Sequence, residues 1–200
     1  MCFRYPRGTV SSVYIALAQV AGIRHVAMRN EAAAAFAAAG YARVTGRPAL
    51  VLTTSGPGIT NTITGLATAA YEDLPLIVLG GETPRTAQGR GGIQDGSSAG
   101  LAIESMLAPV CRWTGMIRHG RNAAGMAGRA WAAAMGSKPG PVLLTIPLDI
   151  GNTTRPREAD LNSEPTLIWD WGPPPRLAAP SAAPDAPGPA VRPRACTRLM

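Results

Sequence analysis

The sequence predicts an α/β fold, a doubly wound parallel sheet with helices on both faces. Three observations carry this expectation. The runs ALVLTT (49–54), PLIVLGG (75–81) and PVLLTIPLD (141–149) are too continuously apolar to have a wet face, as in buried parallel strands. Ala-rich stretches with helical spacing lie between them. Strand and helix alternate through residues 1–150, which implies crossover connections within one domain.

Along the chain, the first short segment is MCFRYP. Thr9 to Ala21 places Val10, Val13, Leu17 and Val20 on one helical face, with Thr9 as cap and Gly22 as stop. IRHVAMR (23–29) is a short strand. Glu31 opens an Ala-rich helix that runs to about Thr45 and is closed by Gly46 and Pro48. Strand 49–54 ends in the turn Ser55-Gly56-Pro57-Gly58, from which a helix carries Ile59, Ile63, Leu66 and Ala70 to Tyr71. Strand 75–81 comes next, then a weaker one in CRWTGMI (111–117), a helix from Asn122 to Met135 stopped by Gly136, and strand 141–149.

Composition bounds the function. Ten of the 19 prolines fall after residue 150, so residues 151–200 read as a Pro/Ala-rich linker or disordered tail. No apolar run is long enough to span a membrane, and MCFRYPRG has no signal-peptide pattern, so a cytoplasmic chain is expected. The net charge is +7, but 18 of the 19 basic residues are Arg scattered singly, without a basic stripe or interleaved aromatics. That pattern excludes a nucleic-acid surface. Cys2, Cys111 and Cys196 are far apart, and His25 and His119 are isolated, so neither a metal set nor a disulfide framework is present.

In open parallel sheets, ligands bind outside the carboxyl ends of the strands. Asn30-Glu31, the Ser55–Gly58 turn and GRGGIQDGS (89–97) fall there. The turn is no P-loop, since no Gly-Lys-Ser/Thr comes after it. It is half a dinucleotide fingerprint, with Asn61 in place of the third glycine and Pro57 lacking an N–H. A nucleotide site and a plain tight turn both remain open on these residues. Glu31 is favoured by the helix dipole and has only alanines beside it. Under a covering surface it suits sharing a proton; otherwise it is an ordinary solvated helix start.

The stretch from Arg29 to Glu82 resembles the pyrimidine-binding domain of thiamine-diphosphate-dependent enzymes, and within them the acetolactate synthase branch. The resemblance rests on Arg29-x-Glu31 at the helix entrance, Gly40-Tyr-Ala-Arg-x-Thr-Gly46, Ser55-Gly-Pro-Gly-x-Thr-Asn61, and the Pro-led strand after it. PGPVLLTIPLDI resembles that domain's closing strand, and the similarity spans residues 5–150. The resemblance implies the thiamine-diphosphate-binding fold, N-terminally shortened here. It implies that Glu31 hydrogen-bonds ring nitrogen N1′ of the cofactor. That favours the imino form of the 4′-amine, which takes the proton from thiazolium C2. Ser55, Gly56, Pro57, Gly58 and Asn61 would back the aminopyrimidine, Tyr5 and Pro6 would form a loop over the active centre, and Gln94 would lie near the substrate. Phe3-Arg4-Tyr5-Pro6-Arg7 stands where the family has Phe-Gly-x-Pro-Gly, and Asn30 where many relatives have His.

The family holds Mg²⁺ and the diphosphate on a separate domain, through a Gly-Asp-Gly stretch and an Asn that this sequence does not contain. The flavin-carrying middle domain of some relatives is not matched either, so FAD is not supported. The resemblance therefore implies half a site: a pyrimidine-domain component of a carboligase or decarboxylase of 2-oxo acids such as pyruvate. It would share thiamine diphosphate with a diphosphate domain on another chain in a homo- or hetero-oligomer. The Pro-rich ending suggests a truncated or frame-shifted product, or one subunit of a split pair. Two alternatives stand beside it: a non-catalytic remnant or dimerisation module, and a Rossmann-like nucleotide-binding domain.

Overall fold

The computed structural model describes residues 1–4 and 8–153. Tyr5, Pro6 and nearly all of the Pro-rich 151–200 segment therefore lie outside the described residues. Six strands, β1 (Cys2–Arg4), β2 (His25–Ala27), β3 (Ala49–Thr53), β4 (Leu76–Glu82), β5 (Trp113–Met116) and β6 (Pro141–Pro147), form one sheet in the order β2-β1-β3-β4-β6-β5. Every pairing in it is parallel. The helices are α1 (Ser11–Ala18), α2 (Glu31–Thr45), α3 (Pro57–Thr60), α4 (Ile63–Tyr71), α5 (Ile103–Leu107), α6 (Ala123–Ala134) and α7 (Leu148–Gly151).

The strands alternate between two cores, as a period of two requires. Val51, Leu76, Val78 and Leu143 point to the side covered by α2, α3, α4 and α5, where Ile59, Leu66, Ile103 and Leu107 are fully buried. Val142, Leu144 and the partly buried Ile77 and Leu79 point to the other side, against Ala130 and Ala134 of α6 and Ile150 of α7. Each fully buried Leu or Ile contributes about 1.5–3 kcal/mol. The fold class is that of the sequence reading: a parallel sheet wound on both faces.

Helix α2 matches its expected span because each local signal agrees. Asn30 Oδ1 accepts the N–H groups of Ala32 (2.8 Å) and Ala33 (3.3 Å), and Gly46 ends the helix at φ +65°. Its buried alanines let α4 come close: a Cβ on Gly65 would lie 2.5 Å from the Ala35 Cβ. The short strand β1 is an inner strand, with Cys2, Phe3 and Arg4 in register with β2 on one side and β3 on the other.

Several elements differ from the pattern-based reading. Thr9 does not cap α1; its hydroxyl pairs with Thr54 Oγ1 (3.0 Å) and accepts the Ser55 N–H (3.2 Å), so α1 starts at Ser11 without a side-chain cap. α1 buries no residue, and Val20, beyond its end, is 49% exposed. The helix expected from Gly58 to Tyr71 is two, because Thr62 turns its hydroxyl onto the Ile59 carbonyl (2.6 Å) and competes with the backbone ladder. β6 stops at Pro147, and Leu148 to Gly151 form one helical turn. The expected strand 111–117 is the four-residue edge strand β5, and a 3-10 turn (Gly120–Asn122) precedes α6. α5, only five residues long, shows too little periodicity to be read from sequence.

Candidate active site

The carboxyl-end side of β1–β4 brings three loops together. Glu31, the first residue of α2, is 7% exposed although it carries an acidic group. The Asn30 cap directs the chain there and satisfies two of the helix's free N–H groups. The Asn61 Nδ2 donates to Glu31 Oε2 at 3.1 Å, across thirty residues of chain. Oε1 makes no hydrogen bond among the described residues. One oxygen is thus fixed, and the other is left to meet a further group at a sheltered helix entrance.

Ser55, Gly56 and Pro57 form the corner between β3 and α3, with Ser55 buried at 1% exposure. Gly56 adopts φ +57° and ψ −114°, a conformation open to glycine. A Cβ there would lie 2.9 Å from the Gln94 Cβ and 3.0 Å from its carbonyl oxygen, so Gln94 occupies that side of the turn. Gly58 packs back on the strand end, where a Cβ would come within 2.6 Å of Thr53 Oγ1 and Thr54 Cγ2. Five of the amides around the corner are engaged inside the protein. Ser55 N–H donates to Thr9, Gly58 N–H to Ser55, Ile59 and Thr60 N–H to Gly56, and Asn61 N–H to Pro57. A phosphate cradle needs such donors free. The Rossmann-like alternative loses its basis.

Gln94 has a left-handed backbone, φ +60°, and is half-buried. It faces the Gly56 turn with its Cα, Cβ and carbonyl, and it lines an open cleft of about 390 Å³ with Gly89, Gly91, Asp95 and Leu101. No residue of the Glu31 corner lines that cleft.

Two carboxylates shape the loop that carries Gln94, and neither stands out in the sequence. Glu82, the last residue of β4, is 1% exposed. Burial pushes its carboxyl above the usual glutamate range; the Thr83 and Gly96 N–H groups pull it down, and the nearby Asp95 charge pushes it up again. For Asp95, burial acts upward, but the N–H groups of Gly89 (2.6 Å) and Ser97 (3.0 Å) hold its carboxyl below the ordinary value. The one available signal was an acidic residue ending a continuous apolar strand, at the edge where loops converge. His25 Nε2 lies 3.3 Å from the Leu17 carbonyl and is structural. The Cys111 thiol is pushed up to about 12 by burial, which leaves it inert. Among the described residues no group of acidic, His and Cys side chains could hold a metal ion, and no helix is long and apolar enough to cross a membrane.

This architecture, with a carboxyl at the second helix's entrance opposite a Gly-Pro-Gly corner, defines a cofactor-domain class that comparison makes specific. The sequence model described as "Thiamine pyrophosphate enzyme, N-terminal TPP binding domain" matches residues 1–101. The chain belongs to this family, as an acetolactate synthase-like N-terminal domain. It is 39% identical over 153 residues to the acetolactate synthase of Arthrospira platensis, covering 75% of this chain and 26% of that protein. It is also 39% identical over 150 residues to the acetolactate synthase isozyme 3 large subunit of Escherichia coli K12, covering 75% of this chain and 25% of that protein. The solved benzoylformate decarboxylase of Polynucleobacter necessarius matches the fold with a TM-score of 0.69 at 24% identity, over 78% of this chain and 28% of that one. The chain thus spans about a quarter of the length of the curated relatives it matches.

Proposed function

We propose that this chain provides the aminopyrimidine half of a thiamine-diphosphate site in an acetolactate synthase-like carboligase or decarboxylase of 2-oxo acids such as pyruvate. The observation that carries this reading is the Glu31 carboxyl, buried, tied by Oε2 to Asn61 and without a hydrogen bond on Oε1 among the described residues. These residues suit the cofactor's ring: a sheltered carboxyl oxygen can hold or release a proton toward a heterocyclic nitrogen, whereas an amide or an alcohol cannot cycle in that way. Glu31 binds the ring and moves the proton at Oε1. Asn61 keeps the carboxyl from rotating. Ser55, Gly56, Pro57 and Gly58 form the wall beside it, with Tyr5 and Pro6 assigned to the covering loop and Gln94 to the substrate side.

Thiamine diphosphate, when bound, supplies the carbon nucleophile that no protein side chain provides. Mg²⁺ and the diphosphate are assigned to a partner domain on another chain, in a homo- or hetero-oligomer in the cytoplasm. No residue of this chain is assigned to a flavin.

The test is reconstitution with a separately produced diphosphate domain of a relative. Pyruvate consumption that depends on thiamine diphosphate and Mg²⁺ is the expected result, and Glu31→Gln lowers it by at least about 10². Turnover that survives the substitution removes the mechanism. Co-migration with an intact relative on size exclusion, without any turnover, supports the non-catalytic dimerisation module instead.

A further inference from the structure

Glu82 has no role in the site assigned above, yet it is a buried acid in the middle of the sheet's carboxyl edge. Its Oε1 accepts two amide hydrogens, from Thr83 (2.7 Å) and from Gly96 (2.9 Å), fourteen residues further along the chain. Oε2 is buried without a hydrogen bond among the described residues. The approach depends on residue 96 being glycine: a Cβ there would run into Oε2 and lie 2.8 Å from Ile103 Cγ1. Next to this pair, the Thr83 hydroxyl donates to the carbonyls of Ile93 (3.5 Å) and Gln94 (3.4 Å). Gln94 in turn presses on Gly56, five residues before the Asn61 that holds Glu31.

We propose that Glu82 is a positioning residue: its carboxyl clasps the 83–97 loop at Gly96 and thereby sets Gln94 against the Gly56 turn, beside the Glu31 corner. An apolar side chain at 82 would fill the space but leave two buried N–H groups without an acceptor. The acceptor, rather than the charge, does the holding, so a glutamine of the same shape keeps the clasp. The consequence for the cofactor site rests on the function proposed above; the clasp itself does not.

Hydrogen exchange on the full chain tests it, with the amides of β4 and β6 as an internal reference. Glu82→Ala should raise exchange across the 83–102 loop by about tenfold or more while the reference stays protected. Glu82→Gln should restore wild-type protection. Gly96→Ala, which leaves the carboxyl in place but wedges the loop away, should loosen the same segment; it carries the test if Glu82→Ala does not fold. Unchanged loop protection in Glu82→Ala or in Gly96→Ala, or a Gln variant that exchanges as fast as Ala, overturns the clasp. In the reconstituted enzyme, Glu82→Ala should raise KM for pyruvate more than it lowers kcat, with Gln restoring both. A loosened loop with unaltered kinetics overturns the positioning role while leaving the Glu31 reading intact. Full turnover in Glu31→Gln removes that reading and leaves the exchange result to judge the clasp alone.

Discussion

Glu31 and Glu82 are both buried acids at the carboxyl-end side of one sheet, and they are held by different means. Glu31 sits at a helix entrance, with one oxygen on an Asn side chain and the other without a partner among the described residues. Glu82 ends a strand, with one oxygen shared by two backbone amides and the other enclosed. A side-chain contact at a helix start leaves a carboxyl available for chemistry. Two amides and full enclosure turn the same group into a structural acceptor. The difference teaches that burial of an acid does not by itself mark a catalytic group; what its second oxygen can reach does.

The contrast can be broken most sharply at Glu31. Glu31→Gln should reduce reconstituted turnover by about 10²–10⁴ while leaving urea unfolding close to wild type. Equal losses of turnover and stability would make Glu31 structural, like Glu82. Next is Asn61→Ala, which removes the hydrogen bond to Glu31, a contact worth about 0.5–1.5 kcal/mol in binding or turnover. Its effect should vanish in the Glu31→Gln background, and a double-mutant cycle on kcat/KM measures this.

Glu82→Ala should lower stability by about 1–3 kcal/mol through the unsatisfied amides, measured by urea melts, whereas Asn30→Ala should lose about 1 kcal/mol through the lost helix cap. The smallest expected effect is a pH slope. The folded-state value of Glu82 is raised above its ordinary 4.5, so the folded protein takes up its proton more readily than the unfolded chain does. Stability attributable to this group is complete below the ordinary value and declines as pH rises through the raised one. Asp95, the charged neighbour, is lowered and acts in the opposite sense, losing stability as pH falls. Glu82→Gln should therefore abolish the decline on the alkaline side and leave the acid limb in place, as thermal melts between pH 3 and pH 8 would show (roughly the span of these carboxylate titrations).

Much of the fold is legible in the chain because it is local. The α2 helix carries its cap, its alanine face and its stop between Asn30 and Gly46, and the structure places it at Glu31–Thr45. Strands β3, β4 and β6 announce themselves by unbroken apolar runs. Glu31 and Asn61 each stand out in the sequence, and their hydrogen bond is the geometry that joins the two motifs. Thr9 has the local context of a cap, but its hydroxyl answers Thr54 and Ser55, partners 45 and 46 residues away. α1 has the spacing of an amphipathic helix, but Val13 and Leu17 on that stripe are only partly buried. The loop between β4 and α5 is legible only as glycine-rich text, since its shape comes from Glu82 and Asp95 gathering amides along it.

The sequence alone determined the parallel winding of the sheet, the span of the main helix, the approximate places of the inner strands, and the family, because apolar runs and helical periodicity act over neighbouring residues. Only the tertiary structure decided what each buried acid touches. The partners of Glu31 and Glu82 lie thirty and fourteen residues along the chain, and no local pattern encodes which oxygen they leave unpaired.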